Sequence, residues 1–279
     1  MTKKVEYVAY MASFPENSTL VSMISKLQTL MPGAVDRYEI VSWGGKERRG
    51  KFEKAALLEK LESLPENDVS FLSVHTRMQA EDANVPKRMI KIARCFLEDS
   101  TVTGVYIYVP LSEVDDVVEF CSLCHEAISL HVDPSYAFGV LTPLLNADFD
   151  YGPAQARYVD RKSNGYWIVD DLNDRLMRSA ETLNPVLEGH AVRSVYPINF
   201  ISVRLVQVIQ HILTERNLAN SGSFLEVSRE TMLWTIPDAV QQKAVFKVLS
   251  ENGMTLEADW FEWETYKPRF ATTDDMDML

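Results

Sequence analysis

Residues 5–43 read VEYVAYMASFPENSTLVSMISKLQTLMPGAVDRYEIVSW. Val5 to Ala12 alternates polar and apolar residues, the period of two that marks a strand with unlike faces. Leu20, Ile24, Leu27 and Met31 then recur at helical spacing, and Tyr38 to Trp43 returns to the strand pattern. The chain therefore opens strand, helix, strand. Outward from this opening, Leu57, Leu61 and Leu64 predict a helix from about Phe52 that Pro65 stops, and Val69 to Thr76 predicts the next strand. Gly104 to Val109 carries the β-branched and aromatic run VYIYV, a further strand. Ser112 with Asp115 three residues on is a capping-box-like start for a helix toward Leu130, and Ala137 to Leu141 predicts another strand.

From Asn146 to Asn164 the chain is rich in Gly, Pro, Asp and Arg and loses its periodicity, which places a boundary near residue 148. Beyond it the pattern predicts a helix from Asp170 to about Leu183, a short strand at Val195 and an apolar helix from Ser202 to Leu213. Strands follow at Phe224 to Val227 and Thr231 to Ile236. Asp238 with Gln241 caps a final helix carrying Val240, Ala244 and Val248, which Gly253 ends. The aromatic residues Trp260, Phe261, Trp263 and Tyr266 crowd the tail, where they fit packing better than an interface, and TTDDMDML after them fits disorder. The expected class is α+β, with mixed sheets and flanking helices. It divides into halves at 1–148 and 149–279, or forms one continuous domain.

The 279 residues are 46% hydrophobic and 24% charged, globular proportions that allow a full core without disulfides or metal. Forty acidic against 28 basic side chains give a formal charge of −12, which opposes binding to nucleic acid or an anionic membrane and favours a basic partner. Solubility alone also accounts for such a charge. Three cysteines are too few for a disulfide framework, no apolar run approaches the roughly 18 residues of a membrane helix, and the first residues lack the apolar core of an export signal. A cytoplasmic setting is expected.

Several motifs invite chemistry and fall short of it. Gly45 to Lys51 has the spacing of a phosphate-binding loop, but Phe52 stands where a hydroxyl would ligate magnesium. Cys121-Ser122-Leu123-Cys124-His125 matches the attachment site of haem c, yet both cysteines fit an apolar stripe with Val117 and Ile128. A mid-helix position denies them the thiolate stabilisation of a helix amino terminus, and zinc would need more ligands than Cys95, His125 and His131 can supply. His125-Glu126 begins H-E-x-x-H, but Ser129 replaces the second histidine. No G-x-S-x-G elbow occurs. No cofactor, metal site or catalytic residue is therefore expected. An enzyme with a site assembled in space around His75, His125 or His190 stays open, as does a redox or metal module using Cys121 and Cys124.

Arg193-Ser194-Val195-Tyr196-Pro197-Ile198-Asn199-Phe200-Ile201-Ser202 resembles the R-x-V-Y-P-x-N-F-L-S stretch of the polymorphic-toxin immunity family numbered 52, found beside type VI secretion effectors with nuclease domains. Ile201 departs from that pattern's leucine. Gly165-Tyr166-Trp167, the helix after Ser202 and Trp234 before Pro237 extend the likeness across residues 150 to 260, while the first 140 share only a general layout. Pro197 and Asn199 also have a structural explanation, at the hand-over from strand to helix. The resemblance implies a non-catalytic protein that neutralises a cognate toxin, with a basic nuclease effector as partner. Acidic groups would suit that partner, because a nuclease presents cations to phosphates. The density of acid around the boundary makes Asp148, Asp150, Asp170, Asp171 and Asp174 the candidate contact residues. Asp170, Asp171 and Asp174 are equally explained by the field at a helix amino terminus.

Overall fold

Strand β1, Lys3–Met11, turns Val5, Tyr7, Ala9 and Met11 into one hydrophobic cluster and Val8 and Tyr10 into another, so both of its faces are buried. Such a strand belongs in the interior of a sheet covered on two sides. In the computed structural model, which describes residues 3–43, 46–65, 68–76, 88–97, 100–143, 157–160, 165–168, 184–256 and 269–270, β1 lies between β6 and β7 of a ten-stranded sheet.

The elements follow as α1 (Asn17–Leu30), β2 (Arg37–Ser42), β3 (Glu47–Lys51), α2 (Lys54–Glu62), β4 (Val69–His75), β5 (Met89–Leu97) and β6 (Ser100–Pro110). A 3-10 turn at Leu111–Glu113 leads to α3 (Val117–Ser129) and β7 (Tyr136–Pro143). Then come β8 (Arg157–Asp160), β9 (Gly165–Ile168), α4 (Asn184–Leu187), β10 (Ile198–Ser202), α5 (Val203–Glu215), β11 (Ser223–Glu226), β12 (Thr231–Thr235), α6 (Ala239–Glu251) and β13 (Arg269–Phe270). The large sheet runs β11-β12-β10-β7-β1-β6-β5-β4-β2-β3, and β13-β9-β8 form a second, small sheet. The fold is α+β as expected, and every pairing between these strands is antiparallel.

Helices cover the large sheet on both faces. Leu20, Ile24 and Leu27 of α1, Leu57 and Leu61 of α2, and Cys121, Cys124 and Ile128 of α3 pack with Val5 and Tyr7 on one side. Leu205 and Ile209 of α5, with Val245 and Leu249 of α6, pack with Tyr10, Phe138 and Trp234 on the other. Each such side chain contributes about 1.5–3 kcal/mol on leaving water. Strands from both sides of residue 148 share the sheet, since β10 pairs with β7 through Ile198↔Gly139, Asn199↔Phe138 and Phe200↔Ala137.

Several expectations are corrected in detail. Helix α3 starts at Val117, because Asp116 accepts hydrogen bonds from Val118 N and Glu119 N, while Ser112 lies in the preceding 3-10 turn. Val195 is not in a strand. The strand begins at Ile198, because Pro197 has no N–H and the Tyr196 N–H is taken by a side chain. In the stretch from Gly45 to Lys51, the described residues do not form a loop feeding a helix: Glu47–Lys51 is β3, paired with β2. Val240 faces solvent at 77% exposure, and the inner face of α6 carries Gln242, Val245, Phe246 and Leu249. Asp238 does cap that helix, accepting from Gln241 N. The expected helix from Asp170 and the aromatic residues 260–266 lie outside the described residues.

Candidate functional site

The stretch Arg193 to Ser202 lies almost wholly inside the protein. Arg193 is buried and its guanidinium donates to the Tyr10 hydroxyl. Tyr196 stacks on Phe138 with ring centroids 3.9 Å apart. Asn199 closes a local ring of hydrogen bonds, its Oδ1 accepting from Tyr196 N at 3.2 Å and its Nδ2 donating to Tyr196 O at 2.6 Å. Phe200 points through the opposite face of the sheet, where its ring stacks on His125 at 4.2 Å. Ser202 caps α5 by accepting from Leu205 N. These residues fix how a strand passes into a helix, and of them Pro197 and Ser202 alone are part-exposed, Ser202 opening onto a groove.

That groove has a volume of about 530 Å³. Its walls are the residues after α3 (Asp133, Pro134, Ser135), the end of α4 and the residues after it (Leu187, Glu188, Gly189), the β10–α5 junction and the turn between β11 and β12. Asp133, Glu188 and Glu230 face it with Arg204 and Arg229, and Ser135, Ser202 and Gln207 add neutral polar groups. None of the described lining residues is a histidine or cysteine. The chemistry is that of a polar binding surface of mixed charge.

The other residues singled out by the sequence are scattered. Cys121 and Cys124 are buried on α3, and burial pushes both thiols up, Asp116 adding to the effect at Cys121 and Cys121 to that at Cys124. Neither is poised as a thiolate. His125 is buried too, its Nδ1 2.9 Å from the Tyr7 hydroxyl, and burial lowers its pKa to about 4. Burial likewise raises the Tyr7 phenol, with smaller contributions from Cys124 and Cys121, so a neutral tyrosine meets a neutral imidazole. His75 sits on β4 with Nδ1 2.9 Å from Thr76 O, and His190 is exposed beside Glu188. The described contacts do not bring these three histidines together. Among the described residues no three His, Cys, Asp or Glu side chains converge as metal ligands, and no helix is long and apolar enough to cross a membrane. On β3, Arg49 pairs with Glu39 and Glu47, and Lys51 with Glu53. Asp148, Asp150, Asp170, Asp171 and Asp174 all lie outside the described residues, as does the Cys95 side chain.

A three-layer α+β protein built on a ten-stranded antiparallel sheet is the class these features define. No protein-family model and no curated protein matches the chain. Among solved structures, the Pseudomonas aeruginosa T6SS protein PA0821 is similar to it with a TM-score of 0.54 and 10% identity, over 91% of this chain and 77% of that one. At that identity the likeness establishes a shared fold. A chain from the complex of the toxic C-terminal tip of Pseudomonas aeruginosa CdiA with its immune protein matches at a TM-score of 0.28 and 11% identity, over 51% of this chain and 88% of that one. That value is too low to carry an argument.

Proposed function

We propose that this chain is an immunity protein, which binds a cognate secreted antibacterial toxin and neutralises it without catalysis. The toxin is a nuclease effector of a type VI secretion system, and the encounter takes place in the cytoplasm. The observation that carries this reading is a fold shared over 91% of the chain with a protein of a type VI secretion system. The resemblance of Arg193 to Ser202 to an immunity family supports it independently, on residues that the fold uses for its own construction.

The physical logic is electrostatic and geometric. A nuclease active site must present cations to a phosphate backbone, and a chain of net charge −12 is drawn to it over a Debye length. Complementary charge speeds the encounter, while close packing at the contact sets its lifetime. Asp148, Asp150, Asp170, Asp171 and Asp174 belong to the proposal on their charge and their place in the sequence. Neutralisation follows if the bound surface covers the toxin's active site or blocks its productive assembly.

The test is to co-express the chain with the product of the adjacent reading frame in its native host. Rescue of growth together with a stable one-to-one complex is the expected result. A neighbouring product that is harmless, or that kills equally with and without this chain, would remove the proposal.

A further inference from the structure

The two ends of the large sheet are built differently. At one end stands β3, the charged sequence ERRGK. Ser42 N donates to Lys46 O, so by the period of two β3 turns the main-chain groups of Glu47, Arg49 and Lys51 away from β2. Those outward positions carry the Glu39–Arg49–Glu47 ion pairs and the Lys51–Glu53 pair, a fence of charge that discourages pairing with another chain. At the other end stands β11, Ser223–Glu226, which carries no such fence among the described residues.

The hairpin behind β11 is held firmly. Ser223 Oγ lies 2.7 Å from Thr235 Oγ1, Phe224 stacks on Trp234 at 5.4 Å, and Trp234 Nε1 donates to Ser221 O. In the turn, Ser228 Oγ accepts from Glu230 N and Thr231 N. Val227 N donates to Thr231 O, which fixes the phase of the ladder. Ser223 and Leu225 thus turn their main-chain groups toward β12, and Phe224 and Glu226 turn their N–H and C=O groups outward. Beside that edge, unpaired among the described strands, Leu225 is 64% exposed and Val227 37% exposed, both on one face. Glu226, on the alternate face, is exposed and has no ion-pair partner among the described residues. The turn at the end of β11 is also a wall of the 530 Å³ groove.

We propose that β11 is the docking edge for the toxin, which adds an extended segment to the sheet as a further strand. The segment bonds to the outward main-chain groups of Phe224 and Glu226. It places an apolar side chain against Leu225 and a basic one beside Glu226. Main-chain pairing supplies affinity in this mode, alternate side chains supply selectivity, and a rigid hairpin lowers the ordering cost. The inference rests on the immunity reading and names the surface that would carry it.

The experiment measures binding to the product of the adjacent reading frame, carrying an inactivating substitution, by calorimetry. Glu226→Pro deletes one outward N–H and leaves the bonds to β12 in place, and Leu225→Lys puts a charge on the edge. Leu123→Lys, at a 40% exposed position on α3, is the control for added surface charge. With folding checked by circular dichroism, each edge variant weakens binding about tenfold or more, and the control stays within about twofold of wild type. Hydrogen exchange on the wild-type pair reads the edge without mutation: the amides of Phe224 and Glu226 become protected in the complex. If those amides exchange equally fast free and bound, or if folded edge variants bind as wild type does, the docking edge is wrong and the immunity reading stands. Failure of the wild type to bind removes both.

Discussion

Asn199 is a buried residue of β10, and replacing it with alanine tests whether Arg193 to Ser202 is a structural motif. The lost amide removes hydrogen bonds to two main-chain groups of Tyr196, its N–H at 3.2 Å and its C=O at 2.6 Å, in a site closed to water. Each lost buried bond costs about 1–3 kcal/mol, and partial relaxation brings the total to roughly 2–4 kcal/mol. A chain of 279 residues unfolds with an entropy on the order of 0.6 kcal/mol/K, so the melting temperature falls by about 3–7 °C. Asn199→Asp keeps the acceptor but turns a carboxylate toward the Tyr196 carbonyl. It is at least as damaging at neutral pH and recovers partly in acid, where a protonated carboxyl can donate. Differential scanning calorimetry at pH 7 and pH 5 reads both effects. A change of under about 1 °C for Asn199→Ala would refute the role of this ring in holding the turn.

Acid should destabilise the protein in part through His125: its folded pKa of about 4 lies below the ordinary 6.5, so the unfolded chain takes the proton first as pH falls. The resulting loss sets in below about pH 6.5 and reaches on the order of 3 kcal/mol near pH 4; His125→Gln flattens that part of the denaturation profile. Cys121→Ala and Cys124→Ala each cost about 1 kcal/mol of packing, and the wild type purified from its native host is expected to be colourless and free of stoichiometric zinc. A Cβ on Gly139 would sit 2.6 Å from Cys121 Sγ, so Gly139→Ala is milder in a Cys121→Ala background than alone, as thermal melts of the four-member cycle will show. ATP with magnesium is expected not to bind, since β3 commits the Glu47–Lys51 main chain to a strand; micromolar calorimetric binding abolished by Lys51→Ala would overturn this.

What the sequence made legible was local periodicity. Strand β1, helix α1 and the cap at Asp238 follow from patterns of two, of 3.6 and of a single side chain. Strand β5 was missed because Lys91 and Arg94 interrupt it, and the structure shows how each is accommodated. Lys91 Nζ lies 5.2 Å from the Tyr106 ring and 5.5 Å from that of Phe71, and Arg94 lies over Phe14 at 4.0 Å. Strand β3 was missed because its charges mark an edge, a status that exists only once the sheet is assembled. The capping-box reading at Ser112 placed the start of α3 too early, because Asp116, four residues on, has a carboxylate that reaches two amides. In α6, Gln242 is buried because Nε2 bonds to Ile236 O at 2.5 Å, which apolar periodicity cannot reveal. The insertion of β10 between β7 and β12 joins residues far apart in sequence, so both the groove and the place of β11 at the end of the described sheet were invisible before the topology was known. Phe224 to Val227 was readable as a strand, but its outward-facing main chain was not.

Immunity is the central claim, and protection is its most direct measurement. Cells carrying the product of the adjacent reading frame under an inducible promoter are followed for growth and for the integrity of their chromosomal DNA and their RNA, with and without this chain. The account predicts that toxin alone arrests growth and degrades nucleic acid, and that this chain restores both in proportion to its expression. Toxicity that persists in the presence of excess folded chain would contradict it.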